Sequence, residues 1–163
     1  MMRKFTIFAL TATLLFVTAL SWVPSTAEAS ILCFQGCTPG FWKNHPSAWE
    51  GYSPETLVGD VFDVPYPELA GDPLLKALNY GGGDDEIGAA MILLRAGVAA
   101  LLNAAHPDVA YRMPSPEDVI GYVNYALARG NRELMIQRAG YLDYYNNRGC
   151  PIGGPSLGRE GSR

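Results

Sequence analysis

The longest sustained apolar pattern in the chain runs from Glu86 to Ala105. Ile87, Met91, Leu94, Val98, Leu101 and Ala105 recur at three- and four-residue steps, the period of a helix. Ile92, Ala99 and Leu102 add apolar surface on another side. Ala89, Ala90, Ala96, Gly97, Ala100 and Ala104 are small enough to let neighbouring helices come close. A helix that is apolar almost all round belongs in a core or in a membrane. Arg95 at its middle and Asn103 near its end favour the core. His106-Pro107 marks its end, because proline disfavours helix in the residue before it.

Two further helices are predicted downstream. Ser115-Pro116-Glu117-Asp118 is a helix start, with a capping hydroxyl, proline in the first turn and carboxylates near the positive end. Val119, Tyr122, Val123, Ala126 and Leu127 then line one face, and Gly130 stops the helix. Asn131 caps the last one, about Arg132 to Asn147, with Leu134, Met135, Arg138, Tyr141, Leu142 and Tyr145 toward the core. These two form a tight helical hairpin.

Upstream the pattern is broken. Ser53-Pro54-Glu55 predicts a short helix ending near Gly59. Asp60 to Gly71 reads as a surface loop anchored by Phe62, Val64, Tyr66 and Leu69. Asp72-Pro73 opens another short helix to about Tyr80. Gly81-Gly82-Gly83 is a flexible turn, and Asp84 caps the core helix. No segment alternates with a period of two. The expected fold is all-α: a single compact domain around the central helix at about 86–105, with short N-terminal helices and a C-terminal hairpin, stapled by a disulfide.

Composition sets the limits of that domain. Arg3 and Lys4, the apolar run Phe5 to Leu20, and Ala27-Glu28-Ala29 read as a secretory signal peptide over 1–29, cleaved after Ala29. The helical domain is placed at 30–150, and the Gly/Pro/Ser-rich stretch 151–163 is read as a disordered tail. The expected location is secreted or extracellular, or periplasmic where an outer membrane exists, with no stable membrane span after cleavage. Without Arg3, Lys4 and Glu28 the chain keeps 10 basic and 15 acidic side chains, a net charge of −5. With no basic stripe, nucleic acid is not an expected partner.

Three cysteines lie beyond the signal: Cys33, Cys37 and Cys150. In an exported chain they are disulfide material first, and three single bridges are conceivable. Cys37–Cys150 is favoured because it clips the start of the domain to its end. That leaves Cys33 free or paired between molecules.

Candidate chemistry centres on Cys37 to Trp49, CTPGFWKNHPSAW. Thr38-Pro39-Gly40 reads as a turn, with glycine taking an unusual backbone angle. Phe41, Trp42 and Trp49 are read as plugging the open end of a bundle. The competing reading makes Trp42, Trp49 and Tyr52 a platform for a glycan or partner, with Lys43 and His45 beside it. His45 with Cys33 and Cys37 matches no zinc spacing. Glu50 to Glu86 holds nine acids and one base, Lys76. Asp60, Asp63, Asp84, Asp85 and Glu86 could supply oxygens to calcium, although Asp84 is also read as a helix cap and no EF-hand spacing is present. A solvated acidic face is the preferred reading, and no cofactor is expected. No G-x-S-x-G, H-E-x-x-H or C-x-x-C-H occurs, so no reaction is specified.

The opening stretch resembles the C-T-P-G-[FY]-W-K-N-H motif of a family of exported bacterial and archaeal proteins of unknown function. The likeness continues through Leu93-Leu94-Arg95, Ala99 to Ala105, Val119-Ile120, Val123-Asn124, Asp143 and Asn146-Asn147, and ends at Gly149-Cys150-Pro151. It implies an extracellular or surface location, sometimes within larger surface proteins, and a cysteine near each end of the domain. It implies no activity. Cys33 lies outside it.

Two functions follow as expectations. The first is a secreted, non-catalytic structural or adhesive protein of the cell surface or matrix, whose partners are surface components or other copies of itself. The second is an extracellular ligand-binding module for a glycan or metal ion, using the aromatic and histidine motif and the acidic loops.

Overall fold

The computed structural model describes residues 33–153. The signal-peptide reading of 1–29 and the tail beyond Gly153 lie outside the described residues. Among the described residues seven α-helices follow one another: α1 (Pro39–Asn44), α2 (Val58–Val61), α3 (Pro67–Ala70), α4 (Leu74–Ala77), α5 (Glu86–Ala105), α6 (Pro116–Leu127) and α7 (Arg132–Asn146). A 3₁₀ turn, Pro46–Ala48, follows α1. No strand occurs among the described residues; two isolated bridges join Gly36 to Gly149 and Leu57 to Pro73.

Helix α5 is the centre. Asp85 caps it, its carboxylate accepting from Gly88 N at 2.7 Å. The residues from Ala96 to Asn103 are all buried. By length and composition α5 could cross a membrane, but 72% of that apolar window is buried inside the fold. Helix α7 is its main neighbour and α6 the next. Gly97 admits α6 closely: a Cβ there would lie 2.9 Å from Val123 Cγ2. Each large side chain buried in this way contributes about 1.5–3 kcal/mol relative to exposure. Ser115 and Asn131 cap α6 and α7 through their side chains, as their sequence signatures indicate.

Cys37 and Cys150 form the disulfide, across a sequence separation of 113. Gly36 N donates to Gly149 O at 3.1 Å beside it, so the two ends of the domain are also tied by backbone. Gly36 has to be glycine, since a Cβ there would run into the Tyr145 carbonyl. Just beyond Cys150, Ile152 lies partly buried against the core and Gly153, though exposed, is close to the Phe41 ring. Of the stretch 151–163 read as a disordered tail, only 151–153 are among the described residues.

Local expectations are corrected at six points. Thr38-Pro39-Gly40 is not a turn but the start of α1, with Thr38 Oγ1 accepting from Phe41 N and Gly40 in the helix. The Ser53 helix does not form at Pro54. Val58 N and Leu74 N bond Asp72 O and Thr56 O, and this pairing holds Leu57 extended, so α2 begins only at Val58. The loop over 60–71 contains α3. Asp72 does not cap α4; its carboxylate accepts from Lys76 and Tyr80. The cap of α5 is Asp85 rather than Asp84. Tyr141 is exposed rather than core-facing.

Candidate functional site

The segment from Cys37 to Trp42 meets α5 and α7 across a buried polar cluster. Asn103 Oδ1 accepts from Cys37 N at 2.7 Å and from Trp42 Nε1 at 3.2 Å. Asn103 Nδ2 donates to Cys37 O at 2.9 Å and to Asn146 Oδ1 at 3.0 Å. Tyr111 OH donates to the same Asn146 oxygen at 2.8 Å, and Asn146 Nδ2 donates to Ala96 O at 3.0 Å. Both asparagines are fully buried. Burial pushes the Tyr111 hydroxyl far above the usual tyrosine range, with nearby Tyr141 and Asp143 adding to it. It therefore stays a neutral donor at ordinary pH. Among the described residues no buried side-chain nitrogen or oxygen lacks a partner. A satisfied cluster of this kind specifies one arrangement of its elements, because each group left unpaired would cost about 1–3 kcal/mol.

The sequence-predicted ligand residues do not converge. Trp42 is fully buried and Trp49 nearly so, with Trp49 Nε1 donating to Trp42 O at 3.0 Å. Neither offers a ring face to a ligand; both fill the core, and the platform reading is corrected accordingly. Tyr52 is half-buried, its hydroxyl held above its usual range by burial and then by the Glu117 charge. His45 is exposed and stacks on Phe41 with ring centroids 4.2 Å apart. Its Nδ1 lies 2.8 Å from Phe41 O and therefore carries the proton. Lys43 is exposed, with Nζ donating to Asn79 Oδ1 at 3.2 Å.

The acids are not gathered either. Asp63 accepts from Asn124 Nδ2 at 2.7 Å, Asp85 caps α5, and Glu86 accepts from Tyr66 OH. Burial and the Glu86 hydrogen bond push the Tyr66 hydroxyl up to about 12. Among the described residues no three His, Cys, Asp or Glu side chains are grouped to hold a metal. Asp60, Asp63, Asp84, Asp85 and Glu86, the acids considered for calcium, are thus not gathered into one group of three among the described residues.

What does converge is a cleft of about 410 Å³ on the outer side of α1. Pro39, Gly40 and Lys43 line it from α1, and Leu78, Asn79 and Tyr80 from the segment after α4. Arg95 comes from α5, and Asp143 and Asn147 from the end of α7. Arg95 NH1 is fixed by Tyr80 O at 2.9 Å and Gly81 O at 3.3 Å. Among the described residues nothing hydrogen-bonds the Asp143 carboxylate. Burial raises its pKa, and the charge of Arg95 pulls the other way. The sequence reading missed this group apart from Lys43. Its members lie as far apart as residues 39 and 147, so no local spacing announces it.

A second feature covers the outside of the α6–α7 hairpin. Arg129 lies over the Tyr125 ring at 3.4 Å, and Arg138 spans Tyr122 and Tyr125 at 4.2 and 4.1 Å. Tyr122, Tyr141, Tyr145 and Tyr144 follow with centroids 5.4, 5.0 and 5.0 Å apart. Arg148 sits over Tyr144, and Phe34 meets Tyr145 edge-on under Arg112. Tyr125, Tyr141 and Tyr144 are 45%, 37% and 58% exposed, three of the four most exposed large hydrophobic residues described. Comparison with known protein families, with characterised proteins and with solved structures finds no match to this chain.

Proposed function

We propose that the protein is an exported, non-catalytic interaction protein of the cell surface or extracellular matrix. The observation that carries this reading is the continuous tyrosine–arginine face on α6 and α7. Tyrosine and arginine are the residues that dominate binding energy at protein interfaces, because each combines a large rigid contact area with a polar end. Cation–π stacking holds the arginines on the rings before any partner arrives, which reduces the entropy cost of docking. The face carries Arg112, Arg129, Arg138 and Arg148, so it suits a partner with carboxylates among apolar groups. Cys33, exposed and adjacent to Phe34, lies at its edge and can add a covalent link between copies. A bundle closed by a long-range disulfide suits an oxidising, chaperone-poor location.

The test is co-sedimentation of the purified protein with intact cells or isolated matrix of the organism that makes it. Binding is expected, weakened by salt and by Arg129→Ser with Tyr144→Ser, and indifferent to Lys43→Gln. Protein that stays in the supernatant, or binding that ignores the paired substitution, contradicts the proposal.

A further inference from the structure

The cleft beside α1 is separate from the tyrosine–arginine face and has its own chemistry. It is lined by two cations and one carboxylate, Lys43, Arg95 and Asp143, in a chain whose overall charge is negative. The local balance therefore favours a ligand with one negative charge. The hydrogen-bonding capacity is divided. Lys43 gives one proton to Asn79 and keeps two, and Arg95 commits only NH1 to backbone carbonyls. These are the donors. Asn147 uses its Nδ2 on Asp143 O at 2.7 Å and keeps its side-chain oxygen, beside the unpartnered Asp143 carboxylate. These are the acceptors. Pro39 adds a small apolar patch beside Leu78, which is almost wholly buried.

We propose that this cleft binds a small carboxylate that also carries hydroxyl groups, of the uronic-acid sugar class. The ligand carboxylate pairs with Lys43 and Arg95, in the planar geometry a guanidinium favours. Its hydroxyls donate to Asp143 and to the Asn147 oxygen, and its C–H face lies on Pro39. Other classes fit less well. A free metal ion meets two cations, a phosphate brings about −1.5 to −2 charge against a local balance of one positive charge, and a neutral sugar leaves one cation uncompensated. The cleft volume of about 410 Å³ lies within the range of small-ligand sites, ~300–1,000 Å³.

The experiment is an NMR titration of the isotope-labelled protein with glucuronate, glucose and acetate, each into the millimolar range. Glucuronate is expected to shift the Gly40, Lys43 and Asn147 resonances saturably, with glucose and acetate weaker by about tenfold or more. Lys43→Gln should weaken glucuronate by about tenfold, the loss of one charge-assisted hydrogen bond, while the variant keeps the wild-type spectrum elsewhere. Because Lys43 is exposed, its substitution does not threaten the fold. The proposal is overturned if no ligand gives saturable shifts, if acetate binds as tightly as glucuronate, or if Lys43→Gln leaves glucuronate binding unchanged.

Discussion

The Asn103–Asn146 cluster and the Asp143 cleft are built from the same three elements and treat their polar groups in opposite ways. The segment at α1 supplies Cys37 and Trp42 to one and Lys43 to the other. Helix α5 supplies Asn103 and Arg95, and α7 supplies Asn146 and Asp143. In the cluster every buried side-chain nitrogen and oxygen has a partner in the fold. In the cleft, three residues along α7, a half-buried carboxylate is left without a hydrogen bond. The first arrangement fixes the position of the opening stretch and is buried away from any ligand. The second costs stability and keeps its capacity open. Polar residues three apart on one helix thus divide between holding the fold and remaining available.

The sharpest way to break this comparison is to empty the cluster. Asn103→Leu removes the partners of Cys37 N, Cys37 O and Trp42 Nε1 and one bond to Asn146, and is expected to cost about 3–5 kcal/mol. Urea denaturation measures it; a loss below about 1 kcal/mol would mean the cluster is not structural. The disulfide comes next. Replacing Cys37 and Cys150 together by alanine should lower stability by about 2–4 kcal/mol, since the loop it closes is long and real bridges fall short of the chain-entropy ceiling. A shift in Tm of only a degree or two would assign the closure to backbone contacts such as Gly36–Gly149 instead.

The smallest effect should come from Asp143, with the opposite sign. Its folded pKa is raised, chiefly by burial. The associated stability is therefore fully present below the ordinary carboxylate range and lost as pH rises through the folded value. Asp143→Asn should match the wild type in acid and exceed it slightly in Tm at neutral pH. A variant less stable than the wild type at neutral pH would show that the carboxylate has a stabilising partner.

Much of the fold was legible because its signals are local. The bounds of α5 follow from its apolar period and from His106-Pro107, and the hairpin from the Ser115, Gly130 and Asn131 punctuation. The same hydroxyl-proline signature gave unequal results elsewhere. At Thr38-Pro39 it starts a helix that reads as a turn when Gly40 is weighted too heavily. At Ser53-Pro54 it starts none, because pairing of the chain at Leu57 with Pro73 overrides local propensity. The disulfide was inferable from the positions of three cysteines. The cleft was not: Lys43, Arg95 and Asp143 meet only after α1, α5 and α7 have packed. The roles of Asn103 and Asn146 were hidden for the same reason, although an amide at the end of an otherwise apolar helix is the signal that marks one of them.

The inward orientation of the opening stretch is tested most directly by its tryptophans. With Trp22 replaced by phenylalanine, fluorescence comes from Trp42 and Trp49 alone. A soluble quencher such as acrylamide should quench the native protein weakly and the urea-unfolded protein strongly, and Lys43→Gln should leave the native value unchanged. Native quenching as strong as that of the unfolded chain would place a tryptophan on the surface and contradict the division between a buried, structural side and an open one.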